Sequence, residues 1–568
     1  MELDLLLFLH ERPVVLLFLI IGLGYLIGKI KIRGIELGAP PGVLFAALFF
    51  GHYDFELPPM VETIGFVFFI YSVGFRSGSR FFSSFRRDGM RYVALATIVA
   101  GTAFLLVLVL SLLFRLPVGY SAGILGGALT SPPTLAAAQD AVASGVVDLR
   151  GLSPTRVVDN ITVAYAITNV FGLVGLVMFM RLLPRILGLE IRSEANLLAR
   201  KLHIREDEEE RETLGLVKKE VPMVRGYRVT SDELIGQTLG ATRFISRTGC
   251  LILKIKRQGQ MINPGIETII EKDDIFAVAG TFSNLRKALK LVGGPEVDDE
   301  DLRDLTIETH RVEVSNDEME GLTLPETGIA SRYNCLIDKV FRMDFDIPIS
   351  PNLHLEKGDT LVITGEKENM HRLMGILGHK ERPVHETDLL TFAFGIVGGV
   401  FIGHISVKIG NVPLSMGMAG GLLLMGLLIG HLRSRNPSFG RVPRAARFLL
   451  MELGVLFFLA GVGLRAGHDL IENLMAVGLQ VFVSGMVVTV VPIAVGYFAG
   501  NRILRLNPVM CMGALAGSMT SNSALVMVNK TTRSALPSIA YAGAYTVANI
   551  ILTMAGQFIL FAQIRLMG

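Results

Sequence analysis

The sequence predicts a polytopic α-helical membrane protein built as two inverted-topology repeats, each of about five transmembrane helices and one re-entrant hairpin, around a cytoplasmic α+β insert of two repeated modules. Three observations predict it: an apolar excess, its division into two blocks, and the likeness of those blocks to each other. The 568 residues are 51% hydrophobic and 18% charged, with a mean hydropathy of +0.51, where an ordinary soluble chain carries about 25% charged residues. That balance excludes a wholly water-soluble enzyme. The excess lies in roughly residues 13–187 and 388–566, in stretches long enough to cross a bilayer. A net charge of +3, small and dispersed, speaks against a nucleic-acid partner.

The two blocks align residue by residue. Phe68–Gly78 (FFIYSVGFRSG) matches Phe457–Gly467 (FFLAGVGLRAG) at a constant offset of 389. Gly123–Ser131 (GILGGALTS) matches Gly513–Ser521 (GALAGSMTS) at 390, and Tyr165 and Asn169 match Tyr545 and Asn549 at 380. Three matches in one order are a duplication. Each block holds six apolar segments: 13–29, 37–51, 60–77, 90–114, 118–138 and 160–184, then 388–408, 413–431, 446–466, 474–499, 508–529 and 537–564. The first follows acidic residues (Glu2, Asp4, Glu11) and reads as a retained helix rather than a signal peptide.

Basic residues mark the cytoplasmic loops. In the first block Lys29, Lys31 and Arg33 follow the first segment, and Arg80, Arg86, Arg87 and Arg91 follow the third, whereas 52–59 holds Asp54 and Glu56 with no Lys or Arg. In the second block Arg433, Arg435, Arg441, Arg444 and Arg447 follow the second segment, and Asp469 and Glu472 follow the third. The signs exchange places, so the repeats are expected to be inverted. Inversion needs an odd number of crossings per block. One segment must therefore enter and leave by the same face, and the fifth is broken by Thr130–Thr134 (TSPPT) and Thr520–Ser523 (TSNS). Ten crossings, two hairpins and both termini outside follow.

Between the blocks, the charge run Arg205–Glu212 reads as a solvated linker, and the rest repeats at a spacing of 85: Asp274-x5-Gly280 with Asp359-x5-Gly365, and Leu234–Leu239 with Met319–Leu324. Short β-type runs alternate with turn residues. The expected domains are 1–189, a linker 190–212, modules 213–295 and 296–385, and a second membrane repeat 386–568. Cys250, Cys335 and Cys511 lack metal-ligand spacing and form no disulfide framework.

With F-F-x3-V-G-x-R-x-G and G-x3-G-x2-T-S in both halves, split by modules ending EKDDIFAVAG (Glu271–Gly280) and EKGDTLVITG (Glu356–Gly365), the chain resembles the bacterial aspartate:alanine exchanger family along essentially its whole length. The modules resemble the C-terminal subdomains of potassium-conductance regulators. The resemblance implies a secondary antiporter, without a cofactor or an enzymatic step, that exchanges small amino acids or other carboxylates across the inner membrane as a homodimer. It leaves the substrate open.

Paired broken helices point to a midplane site, because half-helix N-termini offer N–H donors to an anion. That singles out Thr130, Ser131, Thr134, Thr520, Ser521, Asn522 and Ser523 as substrate-binding candidates, against the plainer reading of Ser and Thr as caps. Pro132 and Pro133 have no counterparts in the second repeat, so the hairpins are not expected to share the site equally. Arg76 and Arg465 offer guanidinium forks for a carboxylate; Arg76 could simply snorkel to the cytoplasmic face, whereas Arg465 would lie on the acidic outer side. Asn169 and Asn549 are candidates for the substrate or for the hairpin tips. Gln139, Asp140, Asp159 and Asn160, unmatched in the second half, read as solvated loop residues.

Competing functions are weaker. Ser72–Phe75 resembles a potassium filter only faintly, and the Arg that follows would repel the cation. No G-x4-G-K-[ST] segment supports ATP-driven transport, and no G-x-G-x-x-G in the insert supports a dinucleotide. A small anionic effector is the expected ligand of the modules, if any, while Arg243, Arg247, Lys254, Lys256 and Arg257 read as plain surface. A cation channel or cation/proton antiporter gated by the modules is the alternative, and a transport-silent sensor the third reading.

Overall fold

The computed structural model describes residues 5–32, 35–81, 89–201, 223–303, 307–330, 332–342, 345–380, 388–409, 412–435, 440, 442–468 and 470–567. The charge run Arg205–Glu212 and the loop arginines Arg86 and Arg87 lie outside these residues. Two compact units emerge: residues 1–195 together with 384–568, and residues 196–383.

The first unit is helical and repeats one order of elements. The first half runs α1 (Pro13–Gly28), α2 (Ala39–Gly51), α3 (Pro59–Phe81), α4 (Met90–Leu113), α5 (Tyr120–Ala128), α6 (Pro132–Ala143) and α7 (Pro154–Ile186). The second runs α8 (Leu389–His404), α9 (Gly417–Arg435), α10 (Arg444–Gly467), α11 (Leu470–Phe498), α12 (Pro508–Ser518), α13 (Asn522–Thr532) and α14 (Pro537–Met567). Proline opens α1, α3, α6, α7, α12 and α14, where its missing N–H costs no helical bond. Among the described residues six helices are long and apolar enough to cross a membrane, namely α3, α4, α7, α10, α11 and α14. The chain is a multi-pass membrane protein.

The fifth segments are broken as expected. The pieces α5, α6, α12 and α13 have 9, 12, 11 and 11 residues. At 1.5 Å per residue each reaches only about 14–18 Å, against a hydrocarbon core of about 30 Å. Gly123 on α5 packs against Ile161, and Gln139 on α6 bonds Thr162, the next residue of α7, so the two arms pass the same level in opposite directions. Likewise Gly513 on α12 abuts Pro537, and Asn529 on α13 bonds Ser538. Each segment is a helical hairpin that reverses at Thr130 or Thr520.

The hairpins approach from opposite ends of α14. The start of α14 lies at the base of the second hairpin, through Pro537 and Ser538. Its middle meets the first hairpin where Thr134 bonds the Leu552 carbonyl, and its end reaches that hairpin's base, where Gln563 bonds Ser121 and the carbonyls of Leu116 and Pro117.

The other helices interlock by close backbone approach. At the crossing of α3 and α10, a side chain on Gly65 would collide with Phe458 and one on Gly454 with Phe69; the two glycines are equivalents at the repeat offset. The motif glycines behave alike. Gly74 and Gly78 press on α9 at Leu423 and Leu427, while Gly463 and Gly467 press on α2 at Leu44 and Leu48. The third helix of each repeat thus packs on the second helix of the other. Two bundles result: α1–α3 with α8–α10, and α4–α7 with α11–α14.

The second unit holds two copies of one module. Module one has β1 (Met223–Val229), β2 (Leu251–Arg257), β3 (Gln260–Ile262), β4 (Ile275–Gly280) and β5 (Gly293–Val297) in antiparallel order β3-β2-β4-β1-β5. Module two repeats that order with β6 (Ile307–Val314), β7 (Cys335–Arg342), β8 (Phe345–Ile347), β9 (Thr360–Glu366) and β10 (Gly378–Lys380). In each copy an arginine binds the D-x5-G aspartate through two guanidinium nitrogens: Arg257 to Asp274 at 2.9 and 2.8 Å, and Arg342 to Asp359 at 3.0 and 2.7 Å. Glu271 and Glu356 complete the clamps. The motif aspartates therefore hold the turn before a strand. Cys250 and Cys335 occupy equivalent buried positions outside any disulfide, and burial pushes the Cys335 thiol up to about 12.

Replacing Gly65 with Leu should lower stability by at least the ~1–3 kcal/mol of an overpacked core, read as a drop in the thermal unfolding midpoint in detergent. The same change at Gly22, which faces open space, should leave the midpoint nearly unchanged.

Candidate functional site

The hairpin tips meet. Thr130 and Thr520 both have φ of +52°, a left-handed conformation costly for a β-branched residue. Each hydroxyl reaches a carbonyl that ends a helix in the opposite hairpin: Thr130 Oγ1 donates to Met519 at 2.8 Å, and Thr520 Oγ1 lies 3.0 Å from the Leu129 and 3.1 Å from the Thr130 carbonyl. Those carbonyls have lost their helical partners. The T-S step thus turns the chain and satisfies the other repeat's backbone.

Beyond the turn the repeats differ. At the start of α6, Pro132 and Pro133 carry no N–H, and the Thr134 amide bonds the Ser131 carbonyl at 3.1 Å. Ser131 and Thr134 are fully buried, with Thr134 Oγ1 2.8 Å from Ser131 Oγ. At the start of α13, Ser521 Oγ caps the Ala524 amide at 3.3 Å, and Asn522 and Ser523 keep their N–H groups at positions without an internal helical acceptor. Asn522 is exposed and Ser523 half-buried. The two half-helices therefore differ, as the unmatched prolines led us to expect: N–H groups remain at the start of α13, and two prolines remove them from α6.

Arg76 is linked to that N-terminus through two aromatic rings. Its guanidinium sits over the Tyr545 ring, 5.8 Å from the centroid; Tyr545 stacks on Tyr541 at 5.3 Å, and the Tyr541 hydroxyl donates to Asn522 Oδ1 at 2.6 Å. A continuous path links Arg76 on one bundle to the second hairpin on the other. Arg465 is placed elsewhere, donating to Glu62 on α3 at 2.8 Å. The residue equivalent to Glu62 in the second repeat is Met451, so the acid that binds Arg465 has an apolar residue as its counterpart. The repeat offset alone exposes that difference. No motif marks Tyr541, although its spacing of four from Tyr545 puts both rings on one helix face.

Asn549 Nδ2 bonds the Tyr545 carbonyl of its own helix at 3.0 Å, and Asn169 is buried beside Gly127 of the first hairpin. The solvated-loop reading of the residues flanking the first hairpin is overturned. Gln139, Asp140, Asp159 and Asn160 are 4–7% exposed, with Gln139 Nε2 on Thr162 at 2.8 Å and Asn160 Nδ2 on the Val118 carbonyl at 2.9 Å. Nor are the module cations bare. Arg247 pairs with Glu233, Lys254 with Glu366, Lys256 with Asp299 and Asp301, and Arg257 with its clamp. Among the described residues no group of three or more His, Cys, Asp and Glu could hold a metal.

Duplicated apolar helices, paired broken hairpins and an appended pair of small modules define a membrane transporter with regulatory domains. Residues 16–185 and 391–561 match the family model of a predicted permease membrane region of aspartate–alanine exchanger type, and 224–293 and 309–378 match the TrkA-C domain. The first match covers more than half of the chain, and the protein belongs to that permease family. Two solved structures share similarity at 14% identity over 28% of this chain, each with a TM-score of 0.15: the GsuK RCK domain and the GsuK channel bound to NAD. The chain spans 65% and 54% of their lengths.

Thr130→Val and Thr520→Val should each cost ~1–3 kcal/mol by stranding a buried carbonyl. The double variant should cost less than the sum, because both hydroxyls serve one contact; thermal unfolding of the four proteins measures the coupling.

Proposed function

We propose that the protein is a secondary antiporter exchanging small amino acids or carboxylates of the aspartate/alanine type across the inner membrane, by an elevator-like movement of one bundle against the other. One observation carries this reading: the open N-terminus of α13 and the guanidinium of Arg76, joined through Tyr545, Tyr541 and Asn522, form an anion-seeking corner where two broken hairpins meet. Thr130, Thr520, Ser521 and Ser523 frame the corner. Ser131, Thr134, Asn169 and Asn549 support it from buried positions, and Arg465 acts as a structural partner of Glu62. The repeats are threaded in opposite senses, with ten crossings and two re-entrant hairpins, both termini outside and residues 190–385 in the cytoplasm. The membrane repeats take residues 1–189 and 386–568, with modules at 213–295 and 296–385. The working unit is a homodimer whose modules answer a small anionic effector.

The cation/proton antiporter alternative draws on Asp140 and Asp159, buried carboxylates on α6 and α7. Arg76, over the Tyr545 ring, weighs against a cation there.

In proteoliposomes loaded with unlabelled aspartate or alanine, external labelled aspartate should accumulate by counterflow. Arg76→Lys should slow it at least tenfold, because an ammonium cannot replace a planar fork, while Arg465→Lys should retain most of the rate. Absence of counterflow for every amino acid and dicarboxylate tried would reject the reading. Cysteines introduced at Glu56 and Ser438 should label with an impermeant maleimide from opposite sides of the membrane; labelling from one side would reject the inverted threading.

A further inference from the structure

We propose that Asp140 is a proton-binding carboxylate that locks the two bundles together when charged and lets them part when it takes up a proton. The inference rests on the reading that the bundles move relative to each other. Asp140 lies on α6 of the hairpin bundle and is 6% exposed. Its Oδ2 accepts the Ala419 amide at 2.8 Å, in the first turn of α9, a 19-residue helix of the other bundle. A second tie lies beside it: Gln557 Nε2 on α14 donates to the Met416 carbonyl at 2.9 Å. Between them Gly417 has φ of +68°, and a Cβ there would sit 2.8 Å from Asp140 Oδ2 and 3.0 Å from Gln557 Nε2. Two side chains from opposite repeats thus close over the start of one helix.

The carboxylate is held by N–H donors and the positive end of the α9 dipole. Separation of the bundles strips both away and leaves a charge in a dehydrated interior, which is unfavourable unless neutralised. Uptake of one proton, carboxylate plus hydronium giving carboxylic acid plus water, removes that barrier. By linkage, the state that binds the proton more tightly is favoured by acid, so lowering the pH favours release and raising it favours the lock. The groups facing Asp140 are few. His404 at the end of α8 is a titratable neighbour that acts on it; α9 has no acidic residue in its first turn, α14 contributes the neutral Gln557, and α7, packed on α6, carries the buried Asp159.

The lock is one-sided. At the repeat offset of 390 the position of Asp140 is taken by Lys530, which would repel a helix N-terminus. At the start of α2, a Cβ on Gly38 would meet nothing nearer than Pro41, at 3.9 Å. A proton is therefore needed to leave one end of the transport cycle and has no equivalent role at the other.

Hydrogen–deuterium exchange of the intact chain in lipid nanodiscs reads the lock without any substrate. Corrected for intrinsic rates, protection of the amides at 417–421 should fall about tenfold in wild type between pH 8 and pH 5.5. Asp140→Asn, which still accepts the Ala419 amide but does not titrate, should show no pH dependence, and His404→Ala should keep the wild-type response. Protection that ignores pH in wild type, or a pH response that survives Asp140→Asn or vanishes in His404→Ala, would overturn the assignment. Labelled-aspartate counterflow with the same proteins in preloaded liposomes separates the two proposals. A pH-responsive lock without flux sinks the exchanger reading alone, and pH-insensitive exchange in wild type sinks the lock alone.

Discussion

Everything in the membrane unit depends on how a broken helix satisfies its backbone where water is scarce. A helix interrupted inside a bilayer leaves carbonyls at one end and amides at the other, each costly if orphaned. Here the carbonyl ends are answered by the opposite hairpin, by Thr130 on Met519 and Thr520 on Leu129 and Thr130. Neither hairpin could close its tip alone. Duplication is thus a condition of the structure, since each repeat supplies the acceptor or donor the other lacks. The amide ends, by contrast, are answered unequally, and the inequality leaves N–H groups at the start of α13 that α6 lacks.

Three departures from the internal symmetry stand out against a frame that is otherwise repeated helix for helix. Prolines at 132 and 133 face Asn522 and Ser523, Glu62 faces Met451, and Asp140 faces Lys530. Each removes or adds a charge or a hydrogen-bond donor at one end only. Together they leave α13 with N–H groups that α6 lacks, give Arg465 an acid whose counterpart is a methionine, and tie the start of α9 to the hairpin bundle. Symmetric packing builds the fold, and the asymmetric polar residues differentiate the two ends of it.

The apolar pattern, the three aligned motifs and the T-S breaks are legible in the sequence because each has a period or an offset to carry it. The module repeat at 85 is legible for the same reason, down to its D-x5-G turns. What escapes are properties of residues that meet only in three dimensions. Asp140 and Asp159 resemble loop residues because polarity in one dimension does not reveal that α9 or α7 covers them. Arg465 has the look of a better ligand because its loop holds Asp469 and Glu472, yet it is Glu62, on α3 of the other repeat, that occupies it. The Tyr541–Tyr545 stack needs only a helix-face argument and lies within reach of the sequence.

The glycines argue for where the structure is stiff. Wherever a missing Cβ admits the backbone of another helix, both helices belong to the same bundle: Gly65 with Phe458, Gly74 with Leu423 and Gly463 with Leu44 in one, Gly123 with Ile161, Gly513 with Pro537 and Gly556 with Thr134 in the other. Backbone-to-backbone contact of this kind interdigitates two helices so closely that sliding them requires unpacking both. Across the boundary the ties named above are of another sort, made by the side chains of Arg76, Asp140 and Gln557. Such contacts can be broken and remade singly, at the cost of a hydrogen bond or a change of charge. A molecule welded within each bundle and buttoned between them has its breakable contacts at the buttons, and the movement proposed above would open it there, at Arg76 and at the start of α9.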